Sequence, residues 1–185
     1  MKKKILDRYS RTPENELIID ISAEKVEDLF NDLDKYAPYR KKELDQDLVD
    51  YLINSVREIE KERFVIHFRL AVQADDSLTT RVKRSIDNYF RYLKVLKVRE
   101  LADMVRSSMI LFIIGIVFLS LSVWTNQKIL DPDGVVGHVF LEGLTIAGWV
   151  SLWNAITTFL INWPPHRREM KLYDRISKAA IHFYK

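Results

Sequence analysis

"SSMILFIIGIVFLSLSVWTNQ" occupies residues 107–127, and not one Asp, Glu, Lys or Arg interrupts it. A second stretch, "GLTIAGWVSLWNAITTFLINW" at 143–163, is equally free of charge and stays so to Pro165. A helix rises about 1.5 Å per residue, so about 20 apolar residues cross the roughly 30 Å of hydrocarbon in a bilayer. Both stretches reach that length, the first with an apolar core from Met109 to Trp124. Soluble cores seldom supply two uncharged runs this long. The expected fold is therefore an α+β membrane protein. A small cytoplasmic α+β domain of two or three strands is joined by a long helix to a two-helix transmembrane hairpin.

The bulk composition conceals this split. The chain has 185 residues, 48% hydrophobic and 30% charged, figures that suit a soluble protein. The charges crowd into residues 1–106 and 166–185. A formal net charge of +3 is too small to suggest a nucleic-acid partner. With no cysteine, disulfides and thiolate chemistry are excluded. "MKKKILDRYSRTPENE" is basic but lacks the apolar core of a signal peptide, so the N-terminus is expected to stay where it was made.

Lysine and arginine bias sets orientation. Arg91, Lys94, Lys97, Arg99 and Arg106 precede the first span, and Arg167, Arg168, Lys171, Arg175 and Lys178 follow the second. The connection between them holds only Lys128. Both termini are expected in the cytoplasm, with Arg106, Arg167, Arg168 and Lys171 at lipid head groups. Trp124 and Trp163 suit the two interfaces, while Trp149 and Trp153 lie deeper and are expected to pack between helices.

Two polar residues stand out in the second apolar stretch. Glu142 falls just outside a 21-residue span counted back from Trp163. It is expected near a helix N-terminus, where the dipole favours an anion. The alternative is a ring of carboxylates at the mouth of an oligomeric pore. Asn154 falls near the bilayer centre, where its amide is expected to face another helix, with a conduction role as the alternative. Gly143, Ala147, Gly148 and Ala155 would let a neighbouring helix approach closely, and Thr158 would share Asn154's face.

Outside the spans, "ELIIDIS" (16–22) and "RFVIHFRLAV" (63–72) read as strands, the second with Phe64, Ile66, Phe68 and Leu70 on one face. Val26, Leu29, Phe30 and Leu33 recur at helical spacing, which predicts a helix over 23–35 capped by Ser22. Leu44, Leu48, Leu52, Val56 and Ile59 predict another, with Asp45, Asp47 and Asp50 in its first turns. From Leu78 the helical pattern runs without Gly or Pro into the first span, and Asp76 or Ser77 can cap it. Its heptad-like seam of Val82, Ile86, Tyr89, Leu93 and Leu96 is expected to pack on the domain's own sheet over residues 79–93, with a coiled-coil contact to another subunit as the alternative.

Pro164 and Pro165 are expected to stop the second span. A basic amphipathic helix then follows, and "AAIHFYK" offers a possible third strand. The expected layout is a mobile 1–14, a domain over 15–106, the hairpin over 107–163 and a C-terminal piece over 164–185.

No phosphate-binding glycine loop or nucleophile elbow occurs. The four histidines are scattered, with none four residues from another. "DPDG" (131–134) is foremost a turn signal. No catalytic residue, cofactor or metal ligand set is expected.

"LEGLTIAGWVSLW", "INWPPHRREMKLYDRIS" and "YRKKELDQDLVDYLINSVREIE" resemble a family of uncharacterised prokaryotic two-span membrane proteins, from about Glu16 onward. The resemblance implies the architecture and a prokaryotic inner-membrane location, and it transfers no catalytic residue. The two-span plan is also similar to that of CorA-type magnesium channels and mitochondrial calcium uniporters. The Gly-Met-Asn signature of the first and the Asp-Ile-Met-Glu motif of the second are missing, so layout alone is shared.

The functional expectation is a non-enzymatic membrane-anchored interaction or assembly module. Its partners would be the lipid bilayer and either further copies of itself or another membrane protein. The alternative is a subunit of an oligomeric cation channel or transporter, with Glu142, Asn154 and Thr158 along a pore lined by the second span and Trp149 and Trp153 in helix contacts.

Overall fold

A computed structural model of the chain describes residues 6–34, 37–38, 41–72, 75–128 and 135–184. It is mixed α+β. Strand β1 is Leu17–Ala23, helix α1 Gln46–Ile59, strand β2 Phe64–Leu70 and helix α2 Asp76–Lys128. Helix α3 is Val135–Thr157, a π-turn covers Thr158–Asn162, helix α4 is Trp163–Ser177 and strand β3 is Ala180–Tyr184. Two compact units result. One comprises Met1–Leu96 with Glu169–Lys185, the other Lys97–Arg168.

The first unit is built on a three-stranded sheet in the order β1-β2-β3, parallel throughout. The predicted third strand exists, and its register aligns Ile19 with Ile66 and Ile181. Alternation puts Leu17, Ile19, Ile21, Phe64, Ile66, Phe68, Leu70 and Ile181 on one face, and all are buried in a single core. Helix α1 contributes Leu52, Val56 and Ile59 to that core, α2 contributes Val82, Ile86 and Phe90, and α4 contributes Ile176. The early part of the long helical seam thus packs on its own sheet. Phe68 is fully buried and stacks on Phe183 with ring centroids 5.2 Å apart.

Helix α1 begins where Asp45 can satisfy its open N–H groups. The Asp45 carboxylate accepts the backbone N–H of Asp47 at 3.0 Å and of Leu48 at 3.2 Å. Helix α2 starts beside Asp75 rather than being capped by Asp76 or Ser77. The Asp75 carbonyl accepts from Leu78 and Thr79, and its carboxylate accepts the Ser77 hydroxyl at 2.8 Å. That hydroxyl bond holds the Asp75 carboxyl below the usual carboxylate range.

Two expectations fail for identifiable reasons. The described residues of the predicted helix, 23–34, form no α-helix: Ser22 belongs to β1, and only short 3-10 turns occur at Val26–Leu29 and Asp32–Asp34. Local side chains compete with the helix. The Asp28 carboxylate accepts the Lys25 N–H at 2.9 Å, and the Asn31 side-chain Oδ1 accepts the Leu33 N–H at 3.0 Å. Phe30 also bridges to Leu44, which draws the chain out, and Leu33 is left 94% exposed.

The prolines do not stop the second long helix. The π-turn lies just upstream of them, with the Trp163 N–H donating to the Thr158 carbonyl five residues back. Prolines lack an N–H and crowd the carbonyls of the preceding turn. A widened turn at that point lets α4 carry Pro164 and Pro165 near its start.

The N-terminal stretch expected to be mobile is docked from Leu6 onward. Ile18 donates to the Ser10 carbonyl at 2.9 Å, and the Tyr9 hydroxyl donates to Glu58 at 2.8 Å. Residues 1–5 and the "DPDG" turn at 131–134 lie outside the described residues. At the other end of the sequence α4 is tied in by Asp174, whose carboxylate accepts from Lys94 at 2.6 Å and Lys178 at 2.7 Å. The Arg175 guanidinium donates to the Glu60 and Glu62 carbonyls and lies over the Phe64 ring.

Removing the Phe68 ring leaves a cavity against Phe183 and the helices. Phe68→Ala is expected to lower unfolding stability by about 3–5 kcal/mol. Asp45→Ala, which removes only a cap, is expected to lower it by about 1 kcal/mol. Urea unfolding midpoints of the two variants separate these magnitudes.

Candidate functional site

The second unit holds two helices long and apolar enough to cross a membrane. They are not core helices of this chain: only 17% and 11% of their apolar stretches are buried within it. What is buried is a narrow seam of small residues. Ser108, Gly115 and Ser122 recur every seven residues on α2, a spacing that keeps one seam facing a partner helix. Leu141, Thr145, Gly148, Leu152 and Ala155 form the answering face of α3.

The two backbones come close at Gly115 and Gly148. A Cβ on Gly115 would lie 2.9 Å from the Gly148 carbonyl oxygen. A Cβ on Gly148 would lie 2.8 Å from the Leu119 side chain and 3.1 Å from the Gly115 carbonyl oxygen. Above this pair the Ser122 and Thr145 hydroxyls are 2.7 Å apart, and both reach the Leu141 carbonyl. The seven-residue spacing of Ser108, Gly115 and Ser122 is visible in the sequence, but sequence reasoning passed over it.

The structure sorts the four small residues predicted for helix contact onto two faces. Gly148 and Ala155 meet α2, whereas Gly143 has nothing within 4 Å of its Cβ position and Ala147 is half-buried. Asn154 shares the outward side with Gly143, since eleven residues at about 100° each return to within about 20°. Its side chain is exposed, and its backbone carbonyl accepts the Thr158 hydroxyl at 3.1 Å. Trp149 and Trp153 are 62% and 69% exposed, so they do not pack between the helices of their own chain as expected.

Glu142 also differs from expectation. Helix α3 begins at Val135, so Glu142 sits two turns inside it rather than at its N-terminus. The apolar "VVGHVFL" ahead of it continues the helix, and the dipole acts only within the first turn. Glu142 lines a pocket of about 470 Å³ with Ser122, Asn126, His138 and Thr145.

At the opposite end of this unit Glu100 accepts from Lys97 at 2.9 Å, which holds its carboxyl below the ordinary range. His166 places Nδ1 3.9 Å from Glu100, buried and without a hydrogen-bond partner among the described residues. Arg106, Arg167, Arg168 and Lys171 are exposed.

The first unit has a second surface of interest, the face of the sheet opposite the core. Parallel register sets Asp20, His67 and His182 in one row and Ser22, Arg69 and Tyr184 in the next. The His67 ring lies 5.6 Å from that of His182 and 4.7 Å from that of Tyr184, and its Nδ1 is 4.0 Å from the Asp20 carboxylate. Burial pushes the His67 pKa down, against the pull of Asp20. Histidines far apart in sequence meet here only because of strand register. Among the described residues no three His, Asp or Glu side chains converge closely enough to hold a metal ion.

No protein-family model, curated protein or solved structure is similar enough to this chain to match it. The functional reading therefore stands on layout and side-chain chemistry.

The two glycine environments predict opposite outcomes for one substitution. Gly115→Ala forces a methyl onto the Gly148 carbonyl and is expected to cost about 1–3 kcal/mol of hairpin stability. Gly143→Ala meets open space and is expected to raise helical propensity at no steric cost. Thermal unfolding of the two variants followed by Trp fluorescence checks the contrast.

Proposed function

We propose that the chain is an integral membrane protein, its hairpin lodged in a bilayer and its sheet unit serving as a non-enzymatic interaction or assembly module. The observation that carries this reading is the mismatch between two long uncharged helical stretches and how little of them the chain itself covers. Burial of apolar surface favours the fold by about 25 cal/mol per Å², so leaving this much in water would be very costly. Lipid supplies the missing cover. Basic residues outside both spans support cytoplasmic termini. A prokaryotic cytoplasmic membrane is the setting that the motif resemblance implies.

Self-association follows from Asn154. An amide amid apolar side chains, far from bulk water, gains by meeting a second amide. Gly143 and Ala147 on the same side leave room for another α3 to come near. The module would thus assemble through α3 of neighbouring copies, with Trp153 at the flank of the contact and Arg106, Arg167, Arg168 and Lys171 resting on head groups.

A cation-conducting oligomer is the second reading, favoured by the pocket that joins Glu142 to His138 and Asn126. It is weakened because Glu142 and Asn154 are twelve residues apart, so they diverge by about 120° around α3 and cannot both line one narrow axis. In that reading, Glu142→Gln abolishes ion flux into liposomes.

The protein is expected to remain in the membrane pellet after alkaline carbonate washing and to leave it only with detergent. Recovery in the soluble fraction would overturn the proposal. Asn154→Leu is expected to weaken self-association about 3- to 15-fold, the range of one interhelical hydrogen bond. Energy transfer between labelled copies in vesicles measures it.

A further inference from the structure

Helix α4 begins with a weakness in its own backbone. Pro164 and Pro165 have no N–H to donate to the preceding turn, and the π-turn at Thr158–Asn162 leads directly into them. What the backbone cannot hold there, contacts across to α2 must. The residues that make such a contact, Lys97, Glu100 and His166, all lie within the second unit.

That contact is incomplete at His166. Its side chain is only 20% exposed, and Nδ1 is buried with no hydrogen-bond partner among the described residues. Buried polar atoms are nearly always paired, and an unpaired one is destabilising. Glu100 Oε1 stands 3.9 Å away, too far for a hydrogen bond. A neutral imidazole carries one N–H and one bare nitrogen, whereas a protonated one donates from both. Protonation therefore turns Nδ1 into a cationic donor facing a carboxylate oxygen. Closing the gap by about 1 Å gives a charge-assisted hydrogen bond, and the half-exposed Glu100 side chain has room to move.

Glu100 stays charged while this happens. Its other oxygen, Oε2, accepts from Lys97 at 2.9 Å, and that bond holds the carboxyl below the ordinary range. It is still an anion at the pH where an imidazole takes up a proton. Lys97 and Glu100 are the charged groups of α2 set against His166 among the described residues. Asp103, one turn along α2, and Arg167 and Arg168 on α4 are exposed, where water and salt screen them. Glu169, three residues along α4, is half-buried.

We infer that His166 is a proton-operated latch: protonated, its Nδ1–H closes on Glu100 and fastens the first turn of α4 to α2; neutral, it releases that turn. The added stability is present below the imidazole range and is lost as pH rises through it. The latch needs neither a bilayer nor a second copy of the chain. Which compartment's pH it follows rests on the orientation proposed above, where it is the cytoplasm.

Arg167 and Arg168 directly follow His166 and are exposed, so trypsin cleavage there reports opening of the turn. The full chain in mild detergent is digested briefly at about pH 8 and about pH 6, on either side of the ordinary imidazole value of about 6.5. Cleavage after these two residues is followed by fragment mass. Each rate is divided by that of a free peptide of the same local sequence, which removes the protease's own pH dependence. The wild-type chain is expected to be cut at least about twofold more slowly at the lower pH, within the range of one exposed ion pair. His166→Gln and Glu100→Gln are each expected to be cut at a rate that does not change with pH. Lys97→Gln, which leaves Glu100 Oε1 in place, is expected to keep the slowing.

If Glu100→Gln is cut faster at both pH values yet still slows at the lower one, Glu100 is only a structural prop and the latch is wrong. A wild-type rate that ignores pH overturns it as well. So does slowing that survives in His166→Gln, because His67, His138 or His182 would then be its source.

Discussion

Two long helical stretches carry no charge and are barely covered by the chain itself, and the rest of the structure is arranged around that constraint. The seam between them is built from Ser108, Gly115 and Ser122 on one helix and Gly148 and Ala155 on the other. Such residues bury little apolar area of their own. They permit closeness, so dispersion and short polar contacts do the joining, and the large side chains point outward. The hairpin therefore inverts the layout of a soluble helix pair, in which the big apolar residues turn inward and the small polar ones face out. Hydrocarbon surroundings, as the proposed membrane setting supplies, would make such an inversion favourable.

The sheet unit follows the opposite rule. Its core is dominated by Leu, Ile, Val and Phe side chains that are almost wholly buried. Its charges meet in pairs near the surface such as Lys94 with Asp174 and Arg8 with Glu58. These are exposed pairs that fix geometry more than they add stability. One sequence thus holds two packing regimes, and its average composition matches neither.

What could be read in advance depended on how local the cause was. Helix α1 was legible because Asp45 and the Leu48–Leu52–Val56 spacing both act within a few residues. The strands were legible because alternation is also local. The supposed helix at 23–35 was misread because Val26, Leu29, Phe30 and Leu33 fit helical spacing, while the deciding bonds from Asp28 and Asn31 and the bridge to Leu44 do not show in a periodic pattern. Prolines at 164 and 165 signalled a stop that a π-turn circumvents. For the candidate surfaces, residue type was readable and direction was not. Asn154, Trp149 and Trp153 were singled out from sequence, yet their outward aim follows from which side of α3 the Gly148–Ala155 seam takes. The row of Asp20, His67 and His182 needed strand register, which links positions more than a hundred residues apart.

That long-range register has a further consequence for how the molecule is made. Strand β2 sits in the middle of the sheet, yet its second neighbour is β3, synthesised only after both apolar helices have left the ribosome. Until then β2 has a bare edge and the core lacks Ile176 and Ile181. Contacts so distant in sequence close late, because loop-closure entropy must be overcome before they form. The sheet can be completed only after both long apolar helices have been made, so closure of this unit reports that the whole of the other has been synthesised.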